Sequence, residues 1–465
     1  MAHPVGHDRH AEAVRLLRSS YDALPADAPV RLAKHTSNLF RARAANAAPG
    51  LDVTGLRGVI SVDAGPGTGT ATADVQGMCT YEQLVEVTLP LGLIPLVVPQ
   101  LRTITLGGAV TGLGIESTSF RSGLPHESVL EMDVLCGDGQ VRTVVPGDDL
   151  FDAFPNSYGS LGYATRLRIR LEAVPSHVVL RHVPFTDLDD LARVIAEVVA
   201  DGAFAGERVD AFDGVVFAPG EAALSLARFT GAASSTATSD YTGPEPYFRS
   251  VQRLASSSPH GGSDRLTMHD YLWRWDTDWF WCSGAFGLHD PRVRRLWPRR
   301  WRRSDVYHRI VGLENRYAVK ARIDRRRGLP ERERVIQDIE VPVERLTDFL
   351  TWFDDEVGMR PVWLCPLRSE REWPSYPLRP GATYVNVGFW GTVPIRPGGH
   401  DGDHNRAVEA KVTELGGHKS LYSDAYYDRA TFDRLYDQDF ARSVRKDTDP
   451  DDRLTDLYEK AVLGR

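Results

Sequence analysis

The sequence has few cysteines and no long apolar run, and each absence argues against a class of protein. Its four cysteines are widely scattered and form no Cys-x-x-Cys pair, so neither a disulfide framework nor a zinc site is indicated. No run of about eighteen apolar residues occurs, which argues against a membrane-spanning helix. The first ten residues lack the apolar centre of a secretion signal, so the sequence predicts a cytoplasmic protein.

An excess of positive charge is also missing. The chain has 55 lysines and arginines against 63 aspartates and glutamates, a net charge of -8 at pH 7. This balance gives no global reason to expect nucleic-acid binding. What the chain does have is 465 residues, 42% of them hydrophobic, which is enough for about two or three packed domains.

A glycine-rich segment at residues 105–124 is the most informative stretch. Four glycines fall within eight positions, namely Gly107, Gly108, Gly112 and Gly114. Glycines so dense remove side chains where a backbone must approach something flat or charged. Hydroxyl groups for phosphate or ribityl oxygens come from Thr111, Ser117, Thr118 and Ser119. The segment is therefore either a structural turn or a cofactor cradle.

A second glycine-rich loop, residues 64–70, has a Gly-x-Gly-x-Gly pattern that suggests a dinucleotide site. A Rossmann loop must lead from a strand into a helix, whose N-terminus binds the pyrophosphate. Here a strand pattern resumes at Ala71. We therefore predict a hairpin at this loop and no nicotinamide-binding Rossmann unit.

Hydrophobic spacing predicts the other elements. The turn at residues 137–139 predicts a second hairpin. The helical patterns lie at residues 10–24, 81–91, 149–154, 188–199 and 343–357. The strand-like patterns lie at residues 30–33, 93–99, 166–171, 335–343 and 383–389. The character of the chain changes after about residue 176.

The order of these pieces resembles the flavin-binding domain of the vanillyl-alcohol-oxidase (PCMH-type) superfamily, and more narrowly the delta-24 sterol reductases. The centre of the resemblance is residues 99–101, 105–108 and 112–117. Further matches follow in order and spacing at residues 148–154, 159–162, 337–342, 361–366 and 421–424. Each motif alone is weak, and their colinearity carries the resemblance.

The resemblance implies an α+β fold with two parts. A two-lobed FAD-binding domain would occupy residues 1–175. A substrate domain would occupy residues 176–465, built on an antiparallel sheet covered by helices. Its last residues, about 430–465, would be helical and return to the FAD domain.

The resemblance also implies FAD as the cofactor. The loop of Lys34, His35, Thr36, Ser37 and Asn38 would bind the pyrophosphate through backbone N–H groups. Some superfamily members attach the flavin covalently to a histidine of this loop, but the sterol reductases are not known for it, so we expect non-covalent FAD. The other residues expected at the cofactor are Pro99, Thr105, Gly107, Gly108, Thr111, Gly112, Gly114, Ile115, Glu116, Ser117, Ser119 and Gly162.

Four side chains are candidates for handling a proton: Glu116, His418, Lys419 and Tyr422. Glu116 would need a pKa raised by burial to act as acid or base. Its alternative role is a structural carboxylate that accepts backbone N–H groups. By the resemblance, the C-terminal three would reach the reactive edge of the flavin, where they could donate a proton or stabilise charge at N1. Their alternative is a surface turn with Tyr422 in the core.

The implied activity is that of an FAD-dependent oxidoreductase that reduces, or forms, a C=C bond in a sterol-, terpenoid- or lipid-like substrate. Hydride would pass between flavin N5 and one carbon, and NADPH would reduce the flavin in the reductive direction. An oxidase or dehydrogenase of an alcohol or other small molecule is the alternative. A flavin-free binding protein that kept the fold is a third possibility.

Two segments of unusual composition remain. Residues 271–281 are rich in tryptophan and also hold Asp276 and Asp278, with His269 just before them. They predict a wall of an apolar substrate pocket, a core or a homodimer interface, and no metal site. Residues 292–303 hold seven arginines. They predict either peripheral docking to an anionic membrane or a solvated, salt-bridged face.

Overall fold

Two antiparallel sheets form the frame of the computed structural model, which describes residues 3–34, 40–41, 49–65, 70–317 and 330–464. The first sheet has the order β1-β2-β6-β4-β5, with β3 also paired to β6. Its strands are β1 (Val59–Asp63), β2 (Ala71–Gln76), β3 (Leu93–Pro95), β4 (Val129–Leu135), β5 (Val141–Val144) and β6 (Tyr163–Ala173).

The second sheet has eight strands in the order β12-β7-β11-β10-β14-β15-β13-β16. They are β7 (His177–Phe185), β10 (Ala211–Ala218), β11 (Glu221–Thr230), β12 (Gly262–Thr267), β13 (Arg332–Pro342), β14 (Val362–Leu367), β15 (Tyr384–Pro394) and β16 (His418–Lys419). A separate hairpin joins β8 (Ala203–Phe204) to β9 (Glu207–Arg208).

The helices lie around these sheets. The helices that precede β7 in the sequence are α1 (His7–Asp22), α2 (Tyr81–Thr88), α3 (Leu106–Gly112), α4 (Ser119–Ser122) and α5 (Asp149–Ala153). The later ones are α6 (Leu188–Asp201), α7 (Tyr247–Ala255), α8 (Met268–Leu272), α9 (Pro291–Leu296), α10 (Ser304–Tyr317), α11 (Leu346–Glu356), α12 (Asp403–Glu414), α13 (Arg429–Leu435), α14 (Gln438–Thr448) and α15 (Leu457–Ala461).

The sequence predictions for the frame are largely confirmed. Strands β1 and β2 pair antiparallel across the loop at residues 64–70, and β4 and β5 pair across residues 137–139. Both glycine turns are therefore hairpin connections, and the α+β class is confirmed. The prediction of a strand at residues 30–33 is wrong, because the structure has only an isolated parallel bridge there, between Leu32 and Leu51.

Helix α6 shows how the apolar face of the second sheet is covered. Its buried residues Leu191, Val194, Ile195 and Val198 recur at helical spacing, so they form one stripe. The Asp187 side chain accepts the N–H of Asp190 at the first turn, and Gly202 ends the helix in a left-handed conformation. Together with α11 and α12, this stripe packs on apolar side chains of the sheet.

The glycine-rich segment begins as a helix, α3, because Thr105 caps it and Leu106 and Val110 bury its inner side. Two stacked glycines let α3 lie against the first sheet. A Cβ on Gly107 would lie 2.6 Å from the carbonyl oxygen of Gly77, and a Cβ on Gly77 would overlap the carbonyl of Ala164 in β6. This close approach explains why neither position tolerates a side chain.

Replacing Gly77 with alanine should therefore lower the free energy of unfolding by about 3 kcal/mol, since backbone atoms must move apart. The matched control is Gly312→Ala in α10, where an added Cβ meets nothing within 4 Å. That change should be neutral, or stabilising by up to about 1 kcal/mol. Urea unfolding followed by circular dichroism measures both, and equal effects at the two sites would contradict the packing argument.

The C-terminal helices contact the part of the chain that holds the first sheet. The N–H of Val30 donates to the carbonyl oxygen of Arg453 at 2.8 Å. The Arg453 guanidinium in turn donates to the Tyr21 hydroxyl at 2.6 Å. Beyond them, Lys460 Nζ donates to the carbonyl oxygen of Gly159 at 2.7 Å. These contacts fix the end of the chain beside the start of the molecule.

Candidate functional site

The second sheet has one apolar face and one face that carries polar groups inside the molecule. Side chains along a strand point alternately to the two sides of the sheet. The apolar side chains point to the side that α6, α11 and α12 cover, and the polar ones point to the other side. In the register of the strands, Glu340 lies opposite both Asn386 and His418, and Asn386 lies opposite Cys365. We call the following residues the buried polar face: Asp213, Asp338, Glu340, Cys365, Asn386 and His418.

Asp338 is the more accessible residue of this face, and Tyr422 lies beside it; both are only partly buried. Burial by the surrounding protein raises the pKa of Asp338 to about 7, and the hydrogen-bonding groups of Asn386 and Tyr422 oppose that rise. A Cβ on Gly388, the residue opposite Asp338, would overlap the carboxylate. The glycine therefore makes the room in which this side chain lies.

The Tyr422 hydroxyl accepts a hydrogen bond from Trp390 Nε1 at 2.7 Å. Its ring meets that of Phe40 edge-on, with centroids 5.9 Å apart. Burial, and then the nearby carboxylate of Asp338, raise the pKa of Tyr422 well above its usual range. The hydroxyl is consequently protonated at neutral pH and can donate its proton to an acceptor within hydrogen-bonding distance.

Some buried atoms of the polar face have no hydrogen-bonding partner among the described residues. They are Oδ1 of Asn386 and Nε2 of His418. Burial raises the pKa of Glu340, whose neighbour is the Tyr376 side chain, and lowers the pKa of His418 to about 4. Because buried polar groups are normally satisfied, this face is suited to a polar ligand that the chain itself does not supply.

Glu116 lies in a second charged cluster, with Arg274 and Asp213. Its Oε1 accepts from Gln100 Nε2 at 2.5 Å and from the N–H of Ser117 at 2.8 Å, and it lies 3.5 Å from Arg274 Nη2. Burial has the largest effect on the Glu116 carboxyl group and raises its pKa to about 7. The positive charge of Arg274 acts in the opposite direction and lowers the pKa. The carboxylate therefore has both properties considered from the sequence, namely bonds to backbone N–H and a raised pKa.

Arg274 joins this carboxylate to the second sheet. Its Nη2 is 2.9 Å from Asp213 Oδ2, which also accepts from the indole N–H groups of Trp275 and Trp363 at 2.7 and 3.2 Å. The guanidinium also lies 4.1 Å from the centroid of the Tyr271 ring. Three donors thus converge on one buried carboxylate oxygen.

Lys419 is turned away from the polar face, because neighbouring residues of a strand point to opposite sides. Its Nζ lies 2.6 Å from Glu409 Oε1 in α12 and donates to the carbonyl oxygen of Asp424 at 2.7 Å. Of the four proton-handling candidates, His418 and Tyr422 therefore lie at the polar face. Glu116 lies beside Arg274, and Lys419 lies in a separate ion pair.

The residues expected at the cofactor lie in two groups. His35, Thr36, Ser37 and Asn38 lie outside the described residues, and Lys34 is at their edge. The second group begins before α3 at Pro99 and Thr105, continues through α3 and the loop after it, and ends at Ser119, the first residue of α4. Gly162 lies just before β6.

The glycines of this second group contact protein atoms. A Cβ on Gly112 would lie 3.2 Å from the Tyr158 ring, and one on Gly114 would lie 3.0 Å from Pro99. A Cβ on Gly108 would lie 2.8 Å from the capping hydroxyl of Thr105. Gly162 has φ 124°, which favours glycine. Close packing thus accounts for these glycines in the structure.

The tryptophan-rich segment is part of the core. Trp275 stacks on Phe280 with centroids 4.8 Å apart, and Asp276 accepts the N–H of Arg102 at 3.0 Å. Burial raises the pKa of Asp278 to about 7. No group of metal-ligating side chains occurs among the residues that the structure describes.

A cavity of about 440 Å³ lies at the end of this segment. Phe217, Phe248 and Trp281 supply its aromatic walls, while Arg249 and His289 are among its polar residues. The ring centroids of Trp281 and Trp390 are 5.3 Å apart. Since Trp390 donates to Tyr422, two aromatic side chains connect the cavity to the polar face.

Sequence reasoning missed Asp338, Glu340, Asn386 and Asp213 as site residues, although residues 337–342 carried part of the resemblance. A signal was available in β13, where Asp338 and Glu340 alternate with Ile339 and Val341. Charged residues are rarely buried without a function or a partner.

Comparisons with known proteins agree with the resemblance. Residues 8–144 match a family model described as an FAD binding domain. The chain is 24% identical to the delta(24)-sterol reductase of Homo sapiens over 407 residues, which cover 83% of the chain and 73% of that protein. It is also 24% identical to the delta(24)-sterol reductase homologue of Caenorhabditis elegans over 401 residues, 82% of the chain and 73% of that protein.

A shorter match, of 129 residues, reaches 32% identity to cytokinin dehydrogenase 3 of Arabidopsis thaliana, covering 27% of the chain and 25% of that protein. The predicted resemblance is thus confirmed: the chain carries an FAD-binding domain and is similar to delta-24 sterol reductases over most of its length.

The residues present fit a flavin. Its ring nitrogens and carbonyl groups offer both donors and acceptors, which the unpartnered atoms of Asn386 and His418 require. If FAD binds at this face, residues such as Asn386 and His418 would contact it, and the role of the loop of residues 34–38 stays a prediction from the sequence.

Proposed function

We propose that this chain, given its FAD-binding domain and its likeness to the delta-24 sterol reductases, reduces or forms a C=C bond in a sterol-, terpenoid- or lipid-like substrate. The observation that carries the proposal is the pair Asp338 and Tyr422. A partly accessible carboxyl group with a pKa near 7 lies beside a protonated hydroxyl, on the face with unpartnered polar atoms.

When bound, FAD supplies hydride acceptance or donation. The chain then has to handle one proton at the second carbon of the double bond. The Tyr422 hydroxyl holds that proton, and Trp390 Nε1 fixes the direction of its oxygen. Asp338, protonated below about pH 7, resupplies the proton to Tyr422. The aromatic side chains of Phe40 and Trp390 contact Tyr422 and shield part of it from solvent.

The cavity walled by Phe217, Phe248 and Trp281 suits the apolar body of such a substrate. Trp281 lines this cavity and contacts Trp390, which in turn donates to Tyr422. A bulky lipid-like molecule seated there would reach Tyr422 once the Trp281 and Trp390 side chains moved aside.

An oxidase or dehydrogenase of an alcohol or another small molecule is the second candidate. The match of 129 residues at 32% identity to a cytokinin dehydrogenase favours it. In that direction Asp338 would accept the proton released from the substrate, through Tyr422.

Anaerobic stopped-flow mixing tests the proposal. We expect NADPH to bleach the flavin absorbance band rapidly, and a sterol or terpenoid with a double bond to restore it under anaerobic conditions. The matched experiment replaces NADPH with candidate alcohols. Bleaching by an alcohol and not by NADPH would support the dehydrogenase instead, and protein that takes up no FAD would contradict both.

A further inference from the structure

The segment of seven arginines divides into a buried part and an exposed part. Arg294 donates to the carbonyl oxygens of Gly243, Tyr241 and Thr277. Arg302 also donates to backbone carbonyls, and Arg303 forms an ion pair with Glu82 at 2.8 Å. These three arginines fix the segment to the rest of the molecule, and they are unavailable to a ligand.

The other four arginines are exposed and surround exposed apolar side chains. Leu296 is 87% exposed, Trp301 44% and Val293 41%. We call the following residues the basic–apolar patch: Arg292, Val293, Arg295, Leu296, Arg299, Arg300 and Trp301. Among the salt bridges in the described part of the chain, none involves Arg292, Arg295, Arg299 or Arg300, and the Arg300 guanidinium lies 5.8 Å from the Trp301 ring centroid.

We propose that the basic–apolar patch docks this protein onto an anionic lipid surface. The full chain carries a net charge of -8, so four exposed arginines within nine residues form a strong local exception. An exposed leucine and tryptophan at the centre of cationic side chains suit the boundary between headgroups and acyl chains. The internal hydrogen bonds of Arg294 and Arg302 hold the patch rigidly, so little ordering is needed on contact.

The patch begins beside the cavity walled by Phe217, Phe248 and Trp281. His289 lines that cavity, and Arg292 follows three residues later, at most roughly 11 Å away along the chain. Docking would therefore bring the cavity close to the lipid surface. The docking inference itself is independent of the proposed reaction, because it rests on exposure and charge alone. None of the described helices is long and apolar enough to cross a membrane.

Sedimentation with vesicles tests the docking. The FAD-loaded full chain is mixed with vesicles of phosphatidylcholine, alone or with about one third phosphatidylserine. We expect binding to the anionic vesicles only. High salt should weaken this binding, because dissolved ions screen the attraction between the arginines and the anionic lipids. Replacing all four exposed arginines with glutamine should weaken binding several hundred-fold, from about five-fold per charge. Binding that is equal on both vesicle types would overturn the proposal.

Two further variants separate the apolar contribution from a general loss of surface hydrophobicity. Leu296→Ser should weaken vesicle binding about ten-fold, whereas Leu91→Ser, at a site 57% exposed outside the patch, should leave it unchanged. Flavin absorbance and sedimentation velocity are recorded for each variant. If substitutions in the patch change the oligomeric state, and the wild-type protein does not bind vesicles, the patch is a contact between copies of this chain. The docking proposal would then be wrong.

Discussion

Replacing Asp213 with alanine should lower the free energy of unfolding by about 3–5 kcal/mol, because it leaves the buried guanidinium of Arg274 without its closest counter-charge. One oxygen of Asp213 accepts from Arg274, Trp275 and Trp363, and the residue is 1% exposed. The alternative carboxylate, Glu116, lies 3.5 Å from Arg274 and has its own partners. Chemical denaturation at pH 7 measures the loss.

The controls for this prediction separate charge from shape. Asp213→Asn keeps an oxygen acceptor and the size of the side chain, so it should cost less than Asp213→Ala. Adding Arg274→Met to Asp213→Ala removes the buried charge and should recover part of the loss. If the double variant is as unstable as the sum of its parts, the ion pair contributes nothing specific and the explanation fails.

Tyr422→Phe should lower the turnover rate with a substrate found by the anaerobic screen by about 10²-fold, since it removes the group that holds the proton. Asp338→Asn should have a similar effect through the loss of proton supply to Tyr422. In the reductive direction the active form of Asp338 is the protonated one. The wild-type rate should therefore fall as the pH rises through about 7, and Asp338→Asn should lose that dependence.

Lys419→Met is the matched control, because Lys419 is a neighbour of His418 whose ammonium group is bound to Glu409 on the other side of the sheet. It should reduce stability and leave the pH dependence of the rate unchanged. A pH profile that moves in Lys419→Met and not in Asp338→Asn would contradict the assignment. Unchanged flavin absorbance in each variant shows that the cofactor is retained.

The frame of the molecule could be predicted because its signals are local. The loop at residues 64–70 has strand patterns on both sides, which is enough to indicate a hairpin. Helix α6 has its cap, its apolar stripe and its terminal glycine within sixteen residues from Asp187 to Gly202. The strand expected at residues 30–33 failed because apolar character alone does not provide a partner strand.

The candidate site could be predicted only in part, since it depends on pairing between distant strands. Asp338 and Glu340 reach Cys365, Asn386 and His418 through the registers of β13 with β15 and β16, and of β15 with β14. No periodicity within one strand carries that information. The direction of Lys419 likewise follows from α12, which lies on the opposite side of the sheet.

The sequence alone could not show which surface the four glycines around α3 approach. Their density is typical of a segment that approaches another surface closely, and the pattern does not say whether that surface is a ligand or protein. The structure shows Gly77, Tyr158 and Pro99 at three of these positions. In the structure these glycines let the helix pack tightly on the sheet.

One continuous core contains side chains of both sheets, including Val59 and Val75 of the first and Val215 and Trp363 of the second. Hinge motion between the two sheets would have to open that core and expose apolar surface to water. The molecule is therefore poorly suited to admit a large substrate by domain opening. If the substrate enters through the cavity walled by Phe217, Phe248 and Trp281, local movement of side chains such as Trp281 would have to admit it.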